Sequence, residues 1–319
     1  MNITDQLIEG KANLEIFCDT LIGLAAEDPT VIAVTSDSRG SSRLTPFAEE
    51  YPDQIVEVGI AEQNLVGVAA GLASTGKKVF VSSPGCFLST RSLEQVKNDV
   101  AYSGYPVNLI GVSSGVSYGA LGTTHHSLHD FAALRAINNI TIVVPADNFE
   151  TREAIKAASL SENPFYIRFG KKNMPHLHTD HDTYEIGKAS TILEGNDVAF
   201  IACGETVLPA VEAAKLLHDY GINARVLSMH TIKPLDTSSI LNAARECKAV
   251  IVVEEHSMNG GLGEACSAII LEAGLSVPFK RMAIPDEETV AGSQLEVFNH
   301  YGISATGLSY VAKRLLGYE

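Results

Sequence analysis

A carboxyl group at the start of a helix is the group in this sequence best placed to do chemistry. An alternating strand pattern ends at Gly59, and residues 65–72 then repeat their apolar side chains at helical spacing. Glu62 lies one turn before Leu65, so it falls in the first turn of the predicted helix, on the face that packs inward. The helix dipole tolerates an anion there, whereas burial favours the neutral acid. An acidic residue that only supports the helix start is the alternative.

Three histidines close a glycine-rich loop. The loop, residues 113–129, contains glycines at 115, 119 and 122 and ends in His125, His126 and His129. On a helix, the spacing of His125 and His129 could hold zinc. The flexible context and the lack of an HExxH base argue against a metal site, and a neutral imidazole suits proton transfer near pH 7.

Strands alternate with helices around these groups. The sequence predicts strands at 31–35, 56–59, 78–82, 107–112, 141–144 and 165–169, and helices at 11–28, 89–101, 131–137 and 148–159. This alternation predicts a parallel α/β sheet with right-handed crossovers. The polar loop 36–42 follows a strand, at the edge where such sheets bind ligands.

A second α/β unit follows a predicted linker. Residues 171–186 are polar, rich in histidine and contain a proline, so we place the linker there. Strands are then predicted at 197–202, 223–228 and 249–254, and helices at 207–220, 240–247 and 263–273. The sequence therefore predicts an α/β protein of two parallel-sheet domains, residues 1–172 and 187–319. The glycines at 260–263 form a weak nucleotide-like pattern, which we assign to a tight turn.

Composition restricts the class of protein. A chain of 319 residues with 45% hydrophobic residues suggests about two globular domains. The net charge of −15 disfavours nucleic acid and anionic membranes as partners. Five scattered cysteines without a CxxC pair indicate neither a disulfide framework nor a cysteine zinc site. Without a membrane span or a secretory signal pattern, a cytoplasmic location is expected.

The helix start resembles a known family. The run Gly-Ile-Ala-Glu-Gln-Asn at 59–64, followed by an Ala/Gly-rich helix, resembles the glutamate motif of thiamine-diphosphate enzymes of the transketolase type. The resemblance extends from about Lys11 to Ala312 and is to the C-terminal half of a transketolase, as found in the small subunit of two-chain transketolases. It implies a pyrimidine-binding domain, a transketolase C-terminal domain, and transfer of a two-carbon ketol unit between sugar phosphates.

The resemblance implies cofactor roles for four residues. Glu62 would hydrogen-bond the aminopyrimidine ring of thiamine diphosphate and supply the proton that activates it, and Phe87 would lie against that ring. Arg91 resembles an arginine of related deoxyxylulose-phosphate synthases, and Asp37 is placed with the cofactor-binding residues. A core phenylalanine and a solvated helix arginine are the alternatives for Phe87 and Arg91.

The resemblance also implies substrate contacts. His125 matches the histidine of a Gly-Pro-Thr-His motif that contacts donor hydroxyls near the reacting carbon, so it is a predicted catalytic and substrate-binding residue. Ser41 matches a phosphate-contacting serine. Lys171 or Arg168 would stand where the family has a phosphate-binding arginine. His126 and His129 have no counterpart and are interpreted as ordinary loop residues.

Two departures leave the donor sugar open. Most full-length transketolases have an aspartate four residues before the matched histidine, where this sequence has Leu121. They have a histidine twelve residues before it, where this sequence has Ser113. Both family residues help to read donor hydroxyls.

The sequence lacks the Gly-Asp-Gly stretch with which these enzymes hold Mg²⁺ and the diphosphate. Thiamine diphosphate and Mg²⁺ are therefore expected, with the Mg²⁺ ligands on an N-terminal transketolase subunit, in an α2β2 heterotetramer. The alternatives are the β subunit of a 2-oxoacid dehydrogenase, a deoxyxylulose-phosphate synthase-like enzyme and a non-catalytic scaffold subunit. Glu62, Phe87 and His125 together speak against a scaffold.

Overall fold

A computed structural model describes residues 7–179 and 181–318. Its strands are β1 (Glu9–Ala12), β2 (Val31–Thr35), β3 (Ile55–Glu57), β4 (Lys78–Pro84), β5 (Val107–Val112), β6 (Thr141–Val143), β7 (Phe165–Phe169), β8 (Asn173–Pro175), β9 (Ser190–Leu193), β10 (Val198–Ala202), β11 (Ala224–Ser228), β12 (Thr231–Lys233), β13 (Ala249–Ser257) and β14 (Phe279–Ile284). Its α-helices are α1 (Asn13–Glu27), α2 (Thr45–Glu50), α3 (Glu62–Ser74), α4 (Gly85–Thr90), α5 (Leu93–Gln95), α6 (Asp130–Arg135), α7 (Asn148–Leu160), α8 (Val207–His218), α9 (Thr237–Glu246), α10 (Leu262–Glu272), α11 (Gln294–His300) and α12 (Ala305–Leu315).

Two parallel-rich sheets organise these elements. The seven-stranded sheet has the order β12-β6-β7-β5-β4-β2-β3 and is parallel except for β12, which runs antiparallel to β6. The five-stranded sheet has the order β14-β13-β10-β11-β9 and is parallel except for β9. The predicted α/β class with two parallel-sheet units is confirmed.

Helices cover both faces of the first sheet, which is why its strands are continuously apolar. In β4, Val79 and Val81 pack in one core cluster with Leu65 of α3. Phe80 points to the opposite face, where its ring centroid lies 6.4 Å from that of Phe17 in α1. The alternation along a strand thus serves two separate layers of helices.

The loops of the site leave one edge of this sheet. Strands β3, β2, β4, β5 and β7 are consecutive neighbours, and their carboxyl ends lie at the same edge because they run parallel. The chain turns sharply where three of them end, with positive φ at Asp37 (55°), Gly59 (73°) and Ser113 (54°). These turns bring the segments after the strands toward one another.

The two units are joined by a shared sheet and a shared apolar cluster as well as by the linker. Strand β12 follows β11 of the second sheet, yet it pairs with β6 of the first, opposite Val143. One apolar cluster includes Val144 from the first unit and Leu227 and Ile232 from the second. Within the predicted linker, β8 pairs antiparallel with β1 near the N-terminus. The predicted domain limits stay predictions, and residues 1–6, 180 and 319 lie outside the described residues.

Several boundaries differ from the prediction. The helix predicted at 89–101 begins earlier, at Gly85, and is divided into α4, α5 and a π-helical segment at Val96–Tyr102. Pro84 favours this early start because its fixed φ suits the position just before a helix. Phe87 therefore lies inside a helix and not before one. None of the helices in the described ranges is long and apolar enough to cross a bilayer.

Candidate active site

Glu62 begins α3 and is buried, with 2% of its surface exposed. Its Oε2 accepts a hydrogen bond from the Arg91 guanidinium at 2.6 Å. Arg91 follows α4 directly, and 46% of its side chain is exposed. The ion pair therefore connects a buried acid after β3 to a half-exposed cation after β4.

The Phe87 ring lies beside this ion pair. The Arg91 guanidinium carbon stands over the ring at 4.6 Å from its centroid. Phe87 is half-buried, whereas its neighbours Cys86 and Leu88 in α4 are buried. Gly85 allows this helix to begin close to the loop after β5, since a Cβ on Gly85 would lie 2.1 Å from the Ser114 hydroxyl.

His125 continues the row away from Glu62. Its ring meets the Phe87 ring edge-on, with centroids 5.4 Å apart, and the Tyr118 ring edge-on at 5.2 Å. The Nδ1 of His125 lies 2.9 Å from the Thr124 hydroxyl. The Lys171 ammonium lies over the Tyr118 ring, 3.9 Å from its centroid. These side chains thus form one continuous row from a buried acid to an amine.

Tyr118 was not predicted from the sequence. Its position between His125 and Lys171 depends on the folding of a glycine-rich loop against the segment after β7, which no local pattern reveals. An aromatic residue inside that loop is the one signal that could have drawn attention to it.

Asp37 and Ser41 lie on the loop after β2, beside the Glu62 segment. The backbone N–H of Asp37 donates to Glu57 Oε1 at 2.7 Å, and the same oxygen accepts from Gly59 N at 3.0 Å. The Thr35 hydroxyl donates to the other Glu57 oxygen at 2.6 Å. Glu57, which sequence reasoning missed, therefore joins the Asp37 loop to the turn before Glu62.

Ser41 is exposed, and its hydroxyl donates to the Ser38 carbonyl at 3.0 Å. This bond is local to the loop and does not reach the row of rings. The ligand roles of Asp37 and Ser41 stay predictions.

Arg168 does not fit the predicted phosphate contact. It is buried, with 3% exposed, and it donates to both Asp130 oxygens at 2.8 and 3.0 Å and to the Glu255 carbonyl at 2.8 Å. Burial lowers the pKa of Arg168, but the Asp130 and Glu255 carboxylates outweigh it and raise the pKa above its ordinary value. Its guanidinium is committed to the interior, so Lys171, which is exposed, is the better of the two predicted phosphate contacts.

The two other histidines differ from His125. His126 is buried, its Nε2 lies 3.1 Å from the Gly119 carbonyl, and burial lowers its pKa. His129 directly precedes α6, and the segment from 125 to 129 is not helical, so the spacing expected for a zinc pair is not realised. Across residues 7–179 and 181–318, no group of three His, Cys, Asp or Glu side chains could hold a metal ion.

The two departures from the family pattern lie in the same loop. Leu121 is exposed at 56%, in the short 3-10 turn Gly119–Leu121 that precedes the histidines. Ser113 is buried at the start of the loop, and its hydroxyl has no hydrogen-bond partner among the described residues.

The residues fit the pyrimidine end of a thiamine cofactor. A nitrogen heterocycle needs a flat apolar surface and a polar group at its edge. Phe87 supplies an accessible ring, and the buried Glu62 carboxyl lies on the other side of the Arg91 guanidinium.

Two family profiles match the chain. The family described as "Transketolase, pyrimidine binding domain" matches residues 10–176, and "Transketolase, C-terminal domain" matches residues 187–308. Together these profiles cover both sheets and every residue of the row described above.

Three relatives illustrate the likeness. The chain is 49% identical over 300 residues to a subunit of the apulose-4-phosphate transketolase of Phocaeicola vulgatus, covering 93% of this chain and 95% of that protein. It is 36% identical over 304 residues to the 1-deoxy-D-xylulose-5-phosphate synthase 1 of Geobacter sulfurreducens, covering 94% of this chain and 47% of that protein. A solved structure described as a split-gene transketolase, an inactive beta4 tetramer, superimposes with a TM-score of 0.88 at 32% identity, covering 97% of this chain and 99% of that one.

The Glu57 contacts generate a prediction for the loops beside Glu62. In Glu57→Ala, the amides of Asp37 and Gly59 lose a charge-assisted acceptor, so their hydrogen exchange should speed up by roughly fivefold, a figure reduced for solvent exposure. Residue-resolved hydrogen exchange of the full chain measures this. Glu49→Ala, which removes an exposed acid from α2, is the control and should leave both amides unchanged.

The same contacts give the effect a pH dependence. Partial burial raises the pKa of Glu57, but the Asp37 and Gly59 amides and the Thr35 hydroxyl outweigh it and lower the pKa below its ordinary value. The stabilisation of the two loops by the Glu57 carboxylate is therefore fully present above the unfolded-state pKa of about 4.3. It is lost as the pH falls through the lower folded-state pKa. Equal exchange in wild type and Glu57→Ala at pH 7 would contradict this role.

Proposed function

The chain belongs to the transketolase family, and we propose that it is the C-terminal subunit of a two-chain, thiamine-diphosphate-dependent transketolase. Such an enzyme of carbohydrate metabolism transfers a two-carbon ketol unit from a ketose phosphate donor to an aldose phosphate acceptor. The observation that carries the proposal is the row from Glu62 through Phe87 and His125 to Lys171, at the carboxyl edge of the parallel sheet.

Glu62 and Phe87 are the cofactor contacts in this proposal. Bound thiamine diphosphate supplies the carbanion-stabilising chemistry that protein side chains lack. Glu62 would present a carboxyl oxygen to the pyrimidine, shielded from water, and would exchange a proton with that ring. Phe87 would supply a flat apolar surface to that ring. Arg91, half-exposed between them, orients the Glu62 carboxyl.

His125 and Lys171 are the substrate contacts. The His125 imidazole adjoins Phe87, so it is placed to donate to a sugar hydroxyl next to the reacting carbon. Lys171 lies farther along the row and offers a positive point charge to a phosphate. Partial desolvation of the Lys171 ammonium lowers its pKa below the ordinary 10.5. Both groups contact the Tyr118 ring.

The donor is proposed by likeness. The Phocaeicola vulgatus relative is named for apulose 4-phosphate, and that ketose phosphate is the first donor to assay. The exposed Leu121 presents an apolar side chain in the histidine loop, which suits a donor that places no hydroxyl against it.

A partner chain completes the proposed enzyme. The Phocaeicola vulgatus relative is named as one subunit of a transketolase, and the beta4 assembly of the split-gene relative is described as inactive. We propose that the Mg²⁺ and diphosphate ligands come from an N-terminal transketolase subunit and that the assembly is α2β2.

A deoxyxylulose-phosphate synthase-like activity is the second candidate. The Geobacter sulfurreducens relative supports it, and the chain spans about half of that protein. Arg91, which resembles an arginine of those synthases, lies against both Glu62 and Phe87. Assay of the assembled complex with pyruvate and with ketose phosphates separates the two activities.

Partner dependence is the first prediction of this proposal. The isolated chain should show no measurable thiamine-diphosphate binding and no ketol transfer, and should gain both with an N-terminal subunit. Titration calorimetry with Mg²⁺ present and a coupled ketol-transfer assay measure the two properties, with the N-terminal subunit alone as the control. Tight Mg²⁺-dependent binding by the isolated chain would refute the division of the site.

The histidine loop gives a second prediction. In the assembled complex, His125→Ala should lower kcat/KM for the ketose donor by roughly 30- to 1000-fold, the scale of one positioned donor or general acid. His129→Ala should change kcat/KM far less, and His126→Ala should mainly lower stability because His126 is buried. Thiamine-diphosphate affinity should be unchanged in all three variants.

Steady-state kinetics and calorimetry on the three variants test this assignment. Equal losses of kcat/KM at His125 and His129, together with stoichiometric zinc in the wild-type complex, would favour a metal site and overturn the sugar contact.

A further inference from the structure

Three polar side chains of the second unit meet at the edge of the first sheet. Glu205 lies in the turn after β10, Glu255 in β13, and Gln294 at the start of α11. The Gln294 amide nitrogen donates to Glu205 Oε2 and to Glu255 Oε1, each at 2.7 Å. We call this trio the carboxylate clamp; both of its acids are buried.

Each acid of the clamp lies against a glycine of the first unit. A Cβ on Gly115 would lie 2.1 Å from the Glu255 carboxyl carbon, and a Cβ on Gly170 would lie 1.9 Å from Glu205 Oε1. The carboxylates therefore touch bare backbone, which side chains at these two positions would prevent. Gly115 is in the loop that carries His125, and Gly170 directly precedes Lys171.

Hydrogen bonds attach the histidine loop to the same strand. Glu255 Oε1 accepts from Val116 N at 2.9 Å, and the Ser257 amide of β13 donates to the Leu128 carbonyl at 2.9 Å. Within the loop, Ser127 N donates to the Gly115 carbonyl at 2.8 Å, so the two ends of the loop are held together. At its tip, a Cβ on Gly119 would lie 3.0 Å from the Gly292 carbonyl, two residues before Gln294.

The segment of Lys171 is held from the same side. The Lys172 ammonium lies 3.5 Å from Glu205 Oε2 and over the Phe298 ring of α11 at 5.6 Å. Arg168, three residues before Lys171, donates to the Ser127 carbonyl at 3.2 Å and to the Glu255 carbonyl at 2.8 Å. The histidine loop and the lysine segment thus share one support, and it comes from the second unit.

We propose that the carboxylate clamp is a positioning device, through which the second unit fixes the spacing between His125 and Lys171. The roles of those two residues rest on the proposed function. Glu205, Glu255 and Gln294 touch neither group directly and act through the backbone at Gly115, Val116 and Gly170.

The composition of the clamp supports positioning over simple stabilisation. Two adjacent buried carboxylates are costly, and apolar residues of similar size are often at least as stabilising. Burial and the neighbouring Glu205 raise the pKa of Glu255 to about 7. The Glu255 carboxylate accepts directional hydrogen bonds from Val116 N and from the Gln294 amide. Such bonds fix the position of the backbone at Val116, whereas apolar contacts would allow it to shift.

Gln294→Leu in the assembled complex tests the proposal. Loss of the bridging amide should raise hydrogen exchange across residues 113–129 by about tenfold, the factor for one lost hydrogen bond. It should lower kcat/KM for the donor roughly 10- to 100-fold through misplacement. Thiamine-diphosphate affinity should stay within about twofold, because Glu62 and Phe87 do not depend on the clamp.

Two variants guard against a folding defect. Gln294→Asn, one methylene shorter, cannot reach both acids and should show the same pattern more weakly. Glu255→Gln keeps an acceptor oxygen for Val116 N but loses the charge 3.7 Å from Arg168, so exchange at 113–129 should rise less than in Gln294→Leu. Ile240→Ala in α9 is the matched control, because it lowers stability from a core cluster that contains no residue of 113–129 or of 170–172.

The outcomes separate this proposal from the proposed function. Unchanged exchange at 113–129 in Gln294→Leu would overturn the positioning role of the clamp. The same loss of kcat/KM in Ile240→Ala, at equal loss of thermal stability, would also overturn it. A wild-type complex without ketol transfer would overturn the proposed function. Amide exchange at 113–129, measured on the same complex and on the isolated chain, would still show whether the clamp positions the histidine loop.

Discussion

The ion pair between the buried Glu62 and the half-exposed Arg91 is the interaction on which the site depends. It joins the start of α3 to the end of α4, two elements that follow strands separated by β2 in the sheet. A carboxyl removed from water needs such a partner, because an unpaired buried charge is strongly destabilising. Arg91 also lies over Phe87, so the same guanidinium places the acid and the ring relative to each other. The His125 ring then packs against Phe87, and Tyr118 packs against His125.

The parallel sheet makes this arrangement possible. Five neighbouring strands end at one edge, and each sends one segment to the site, so residues far apart in sequence meet without long excursions of the chain. The second unit does more than pack beside this edge. It contributes β12 to the first sheet and places Glu205, Glu255 and Gln294 beneath the loops of His125 and Lys171. These contacts indicate that the second unit, which carries none of the predicted site residues, sets the geometry of the site.

Local patterns explain what could be predicted. The change from strand to helix spacing placed Glu62 in the first turn of α3, and the buried strands defined both sheets within a few residues. The edge strands β9, β12 and β14 were missed. Too few residues carry a pattern in β9 and β12, and Lys280 and Arg281 interrupt the apolar pattern of β14. Arg168 was predicted as one of two possible phosphate contacts, and the structure buries it in the interior. An arginine inside an otherwise apolar strand requires a buried acid, but no local pattern identifies that acid as Asp130.

The remaining features depend on contacts between distant residues. Glu255 and Val116 are 139 positions apart, and Arg91 and Glu62 are 29 apart. No periodicity within a window reports such pairs. Glycines 115 and 170 could be seen in the sequence, but their purpose, close approach of a carboxylate from the other unit, appears only in the folded chain.

The proton relay at Glu62 is the central claim, and Glu62→Gln in the assembled complex tests it most directly. Glutamine keeps the size and polarity of the side chain but cannot exchange the required proton. Exchange of the thiazolium C2 proton of bound thiamine diphosphate, followed by NMR, should slow by at least about 100-fold with folding nearly unaffected. Glu264→Gln, an exposed acid in the first turn of α10, is the control and should exchange at the wild-type rate. A wild-type exchange rate in Glu62→Gln would contradict the account.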